Sequence, residues 1–226
     1  MRECDAYWLG CVEYGDALTL QRDLASARMR GDVDDCLLLL EHPPVITLGR
    51  GAKRKHLLRE EDVLKARGIE LWESERGGDV TFHGPGQLVG YPIVDLTQHG
   101  KDLHVYMRNL EEMLIRTLRT YGVRGERSVG QAGIWTHGAK IASVGVHVSR
   151  WVSRHGFALN VSTDLSFFDL IIPCGLSDVR MTSMAAVLGR EVAVKEVAEV
   201  ATREFGLIFE CTPRWRSHWG AAVSLQ

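Results

Sequence analysis

Cys174 stands in Ile171-Ile-Pro-Cys-Gly175, an apolar run broken by proline and closed by glycine, with Ser177, Asp178 and Thr182-Ser183 following. A strand ending in such a turn can present a thiol at the rim of a pocket, where it could carry an acyl group as a thioester. The nucleophile is the thiolate, so this role needs surroundings that lower the usual thiol pKa of about 8.5. The plainer reading makes Cys174 a small core residue. Lys140 lies in Gly138-Ala-Lys-Ile-Ala-Ser-Val-Gly-Val-His-Val148, where strict strand alternation sets it on the face of Ala142, Val144, Val146 and Val148. Burying a lysine on such a face favours the neutral amine, which exchanges protons near neutrality. The alternative is a frayed strand start from which the stem reaches water.

A third stretch, Arg76-Gly-Gly-Asp-Val-Thr-Phe-His-Gly-Pro-Gly-Gln87, sets four glycines and a proline around Arg76, Asp79, Thr81 and His83. Such a loop lets backbone approach a ligand closely. It is a poor phosphate loop: no Gly-Lys-Ser/Thr follows, and Gly84-Pro-Gly86 lacks the third glycine of a dinucleotide fingerprint. A plain turn-rich connection is the competing reading. The basic cluster Arg50, Lys53, Arg54, Lys55, His56 and Arg59 could dock an acidic protein or form a solvated loop. The nine histidines form no His-x-x-x-His grouping, which argues against a metal site. Five cysteines, odd in number and without a Cys-x-x-Cys pair, read as free thiols.

These residues need a scaffold, and the chain is long enough for one. Its 226 residues, 45% hydrophobic and 25% charged, predict a single domain over 1–226, the catalytic one if these residues do chemistry. A net charge of -2 gives no global pull toward nucleic acid or anionic membrane. The apolar runs are too short to span a bilayer. Met1-Arg2-Glu3-Cys4-Asp5 has no apolar signal core, so a cytoplasmic location is expected. Residues 16–30 and 102–121 carry apolar residues at helical spacing, stopped by Gly31 and Gly122, with Asp102 as an N-cap. Residues 60–67 and 195–205 read as further helices. Residues 36–40 and 45–48 read as strands around a tight turn at His42-Pro43-Pro44, and 69–73 as another strand. Residues 134–148 and 157–161 suggest a hairpin or meander. The fold class is α/β of the α+β type, a mixed sheet flanked by helices.

Four ordered blocks, Arg76 to Pro92, Lys140-Ile-Ala-Ser-Val-Gly145, His155-Gly-Phe-Ala-Leu-Asn-Val161 and Pro173-Cys-Gly175, resemble the LipB octanoyltransferase family of the biotin/lipoate protein ligase superfamily. The likeness runs from the first helix to about Leu188; Met181-Thr-Ser-Met184 departs mildly from the family pattern. It implies the catalytic module shared with lipoate and biotin protein ligases. It also implies transfer of an octanoyl group from acyl carrier protein to a lysine of a lipoyl domain, as in 2-oxoacid dehydrogenase complexes and the glycine cleavage H protein. Under this resemblance Cys174 is the thioester nucleophile and Lys140 its dyad partner; the need for a base to take the acceptor's proton makes His83 the reserve candidate on chemical grounds alone. Arg76, Gly77, Gly78, Asp79, Val80, Thr81, Phe82, His83, Ser143, Val144, Gly145, Gly156, Phe157 and Ala158 match the substrate-binding segments. No nucleotide, metal or other cofactor is implied, since a covalent intermediate conserves the thioester energy. The alternatives are an ATP-dependent lipoate or biotin ligase, which has no need of Cys174, and a noncatalytic protein that binds lipoyl or acyl carrier domains.

Overall fold

The structure, a computed structural model, describes residues 2–173 and 179–216. In chain order its elements are β1 (Arg2–Cys11), α1 (Tyr14–Arg30), β2 (Cys36–Glu41), β3 (Val45–Leu48), α2 (Glu61–Ala66), β4 (Glu70–Glu73), β5 (Val80–His83) and β6 (Gln87–Ile93). They continue with α3 (Leu103–Thr120), β7 (Glu126–Ser128), β8 (Gln131–Thr136), β9 (Ala139–Ser149), β10 (Val152–Asn160), α4 (Met184–Leu188), α5 (Val194–Phe209) and β11 (Cys211–Arg216). The large sheet has the order β11-β1-β2-β6-β10-β9-β8-β7, and a small one the order β4-β3-β5. In the large sheet β1 runs parallel to β11 and β2, and every other pair is antiparallel; in the small sheet β3 pairs parallel with β4 and antiparallel with β5. The mixed sheet flanked by helices is the fold class expected from the sequence.

β2 explains why Cys36 to Leu40 is apolar without interruption. Leu37 and Leu39 enter the core under α3 and α5, while Leu38 and Leu40 enter the one under α1, so both faces of the strand are covered. α1 ends at Gly31, which takes a left-handed φ of 81° that costs glycine little. α3 starts as expected: Asp102 Oδ1 accepts from the backbone N–H of His104 at 2.7 Å and of Val105 at 3.1 Å. Its buried stripe of Tyr106, Leu110, Met113, Leu114 and Thr117 lies on the sheet, while Leu103 in the first turn is exposed. The expected meander is β8-β9-β10.

Three expectations are corrected. β2 and β3 form no hairpin; His42-Pro43-Pro44 carries the chain from the large sheet to the small one. Pro43 and Pro44 lack the N–H groups a hairpin ladder uses and hold the preceding backbone extended. The stretch from Arg76 to Gln87 is only partly loop, because Val80–His83 forms β5 and Gln87 opens β6. Cys4 and Cys211 are joined in a disulfide rather than free. Parallel pairing of the first and last strands sets Arg2 opposite Cys211, bringing cysteines 207 residues apart to a Cα separation of 6.0 Å. Neither strand announced itself in sequence, since charged residues interrupt β1 and Pro213 sits in the edge strand β11. Among the described residues, no helix is long and apolar enough to cross a membrane.

Candidate active site

The Arg76-Gly-Gly loop lies across the large sheet because glycines remove the atoms that would hold it off. Gly77 N donates to Val146 O at 2.9 Å, and a Cβ on Gly145 would meet Gly77 O at 3.0 Å. A Cβ on Gly49 would meet Gly78 O at 2.5 Å, so the chain after β3 packs against the same loop. Arg76 is buried, donating from Nε to Thr47 Oγ1 at 3.1 Å and from Nη2 to Thr47 O at 2.6 Å. These bonds tie the loop to β3.

Between loop and sheet lies a cavity. Arg76, Gly77, Gly78, Asp79, Val80, Thr81 and His83 line one side; Ser143, Val144, Gly145, Gly156, Phe157 and Ala158 line the other. The structure thus brings the binding positions expected from sequence around one space, with Phe82 as the exception. Phe82 stacks on Phe167 at a centroid distance of 4.7 Å and meets Phe168 edge-on, inside the core of the small sheet. Tyr14, Tyr91 and His155 complete the lining and were missing from the expected set. Tyr91 and His155 fall inside the quoted sequence blocks, whereas nothing in sequence marked Tyr14, which arrives from the start of α1.

Hydrogen bonds orient His83 in the cavity wall and His42 behind it, and burial keeps these two and His155 neutral. His42 Nδ1 lies 2.6 Å from Val12 O, which can only accept, so Nε2 accepts from the Tyr91 hydroxyl at 2.7 Å. Burial drives the His42 pKa down to about 4, that of His155 to about 3, and that of His83 well below the usual range. His83 Nδ1 donates to Gln87 Oε1 at 2.8 Å, Gln87 Nε2 donates to Asn160 Oδ1 at 2.9 Å, and Asn160 Nδ2 donates to Thr182 O at 3.0 Å. Thr182 N in turn donates to Lys140 O at 2.9 Å. A continuous chain of bonds therefore joins the cavity wall to the backbone of Lys140.

Lys140 is 1% exposed, as burial of its strand face requires, but the face differs from the one alternation gives. Ile134 pairs with Ala142 while the next residue, Trp135, pairs with Lys140, so Ile141 is an extra residue in β9. The bulge turns Lys140 to the face of Trp135, Gly133 and Ser143, the cavity side, and away from Ala142 and Val144 in the core under α3. Its Nζ donates to Ala132 O at 3.1 Å and lies 4.7 Å from the centroid of the Trp135 ring. Gly133, at φ 127°, makes room: a Cβ there would meet Lys140 Cε at 2.9 Å. Cys174 lies outside the described residues. The chain before it is held where Ile172 N donates to His56 O at 2.8 Å, and the chain after it where Lys140 N donates to Arg180 O at 2.8 Å.

Residues 13–206 match the family model described as the lipoyl protein ligase A/B catalytic domain. A relative from Koribacter versatilis named octanoyltransferase is 52% identical over 212 residues, covering 92% of this chain and 84% of its own. The bipartite lipoate protein ligase of Thermoplasma acidophilum superposes with a TM-score of 0.73 at 16% identity, covering 96% of this chain and 88% of that one. Biotin protein ligase from Aquifex aeolicus, solved with biotin and ATP, gives 0.55 at 15% identity over 91% of this chain and 70% of that one. The two structures share the fold, the relative and the family model fix the kinship, and the chain belongs to the lipoyl protein ligase A/B catalytic-domain family.

Proposed function

We propose that the protein is an octanoyltransferase that takes an octanoyl group from acyl carrier protein, holds it on Cys174 and passes it to the lysine of a lipoyl domain. In the first half-reaction Cys174 attacks the donor's thioester carbonyl as a thiolate, its proton held on Lys140; the donor carbon–sulfur bond breaks, and the carrier leaves as a thiol after taking that proton, so that Lys140 is left neutral. In the second, the neutral amine of the acceptor lysine attacks the acyl-cysteine carbonyl, an amide forms, and the Cys174 thiolate departs while Lys140 receives the amine proton.

The observation that carries this reading is the bulge at Ile141, which turns a buried lysine onto the cavity face of β9. A lysine held there by Ala132 O and the Trp135 ring is positioned to shuttle a proton and, when charged, to stabilise a thiolate. The cavity suits an alkyl chain, because Val80, Val144, Gly156, Phe157 and Ala158 give it apolar wall and each buried methylene contributes about 0.8 kcal/mol. Arg76 directs donors to Thr47, its chain neighbour Gly77 and other partners within the protein.

Incubation of the protein with octanoyl-acyl carrier protein and a lipoyl domain, without nucleotide, tests the reading. The lipoyl domain gains the octanoyl mass on one lysine if it holds. Modification that appears only with ATP and Mg²⁺ would replace it with a ligase.

A further inference from the structure

The loop from Arg50 to Arg59 is joined to both halves of the candidate site. At one end Arg50 N donates to Arg76 O at 3.0 Å and Gly51 N to Gly78 O at 3.0 Å, so it borders the rim of the cavity. At the other, Leu58 N donates to Leu170 O at 2.9 Å and Ile172 N to His56 O at 2.8 Å, two residues before Cys174. Midway, His56 Nδ1 meets Asp79 Oδ2 at 2.7 Å. Arg50, Lys53, Arg54, Lys55 and Arg59 are all exposed on it, and no acidic residue occurs from 50 to 59. Of these cations Arg54 is paired to Glu61 at 2.8 Å. On a chain of net charge -2, this is a local concentration of positive charge spanning from the cavity rim to the segment at residues 170–172.

We propose that this loop is the docking surface for the acyl donor, an acidic carrier protein whose thioester hangs on a phosphodiester-bearing arm. The inference rests on the transferase reading above and adds where the donor binds. Charge sign selects donor over acceptor. Only the donor carries a phosphodiester on the arm that must reach the site, and it brings that anion and an acidic face to Arg50, Lys53 and Lys55. Leu58, 43% exposed beside these charges, offers the apolar contact that a charged rim needs at its centre.

The test uses the full chain with Lys53→Glu and Lys55→Glu combined, following Cys174 acylation by intact mass at low and high salt. Acylation by the octanoyl carrier is expected to slow about tenfold or more at low salt and to lose most of its salt dependence. Acylation by a small octanoyl thioester, and release of the preformed acyl group to a lipoyl domain, should match wild type and so show an intact site. Unchanged carrier acylation at low salt would overturn the proposal. So would a slowed acceptor step with normal acylation, which would assign the loop to the lipoyl domain. A wild-type protein that the carrier never acylates would instead sink the transferase reading, and the docking with it.

Discussion

Gln87 and Asn160 face each other across the β6–β10 pairing, and Gln87 Nε2 donates to Asn160 Oδ1 at 2.9 Å in a site where both residues are 1% exposed. Each is bonded outward as well, Gln87 to His83 and Asn160 to Thr182 O, so the pair connects the cavity wall to the segment against which Lys140 is laid.

That connection has a measurable cost when cut. Asn160→Ala leaves Gln87 Nε2 with only its 3.2 Å bond to Phe82 O and strips Thr182 O of the Asn160 donor, so a loss of about 1–3 kcal/mol in stability is expected from denaturant melts. A double-mutant cycle between His83→Ala and Asn160→Ala should show non-additivity in the acylation rate. Strict additivity would mean that the chain of bonds does not link the two ends.

Gly133 is expected to be as critical as Lys140 without carrying any chemistry. A methyl group in Gly133→Ala would meet Ala142 O at 2.3 Å and Lys140 Cε at 2.9 Å, at a φ that L-residues avoid. Displacing the amine by about 1 Å should slow acyl transfer on the order of 100-fold with KM little changed. Equal losses in kcat and donor affinity would indicate general disruption instead.

Acid should destabilise the protein through its buried histidines. With folded pKa values of about 4 for His42 and about 3 for His155, below an unfolded value of about 6.5, the unfolded state binds the extra protons. Their contribution is complete above pH about 6.5 and falls as the pH drops toward 4, by up to about 1.4 kcal/mol per unit per histidine. Urea melts of wild type and His42→Gln between pH 7.5 and 5 check this. The variant should show a shallower slope, and an identical slope would exclude His42 as a source.

Most of the cavity's lining was legible in sequence, the stretch 76–83 through its glycines and polar residues, and residues 143–145 and 156–158 through the family resemblance. Gly77, Gly78 and Gly145 advertise close backbone approach, and they lie where loop and sheet touch. What sequence hid is long-range or subtle. Alternation assigned Lys140 to the wrong face because a single-residue bulge leaves no mark in an apolar strand. Phe82 sat inside a ligand-like motif yet serves the core of the small sheet, and Tyr14 reaches the cavity only through tertiary packing. β1 and β11 are held by mutual pairing rather than by propensity, so their disulfide could not be foreseen either.

That disulfide gives a separate check. Intact-mass analysis without reductant should show the protein two hydrogens lighter than its reduced form, and Cys4→Ser should abolish the difference. Reduction is expected to lower stability by about 2–4 kcal/mol, because the unfolded chain gains the freedom that a link across 207 residues denies it. No change in mass on reduction would mean that the two thiols stay free.

The most direct test of the central claim is intact-mass spectrometry of wild type, Cys174→Ser and Lys140→Ala after incubation with octanoyl-acyl carrier protein and no nucleotide. The account requires an adduct of octanoyl mass on wild type that hydroxylamine removes, none on Cys174→Ser, and formation slowed about 100-fold or more in Lys140→Ala. An adduct that persists in Cys174→Ser, or no adduct on wild type while octanoyl transfer still proceeds, would contradict a thioester at Cys174.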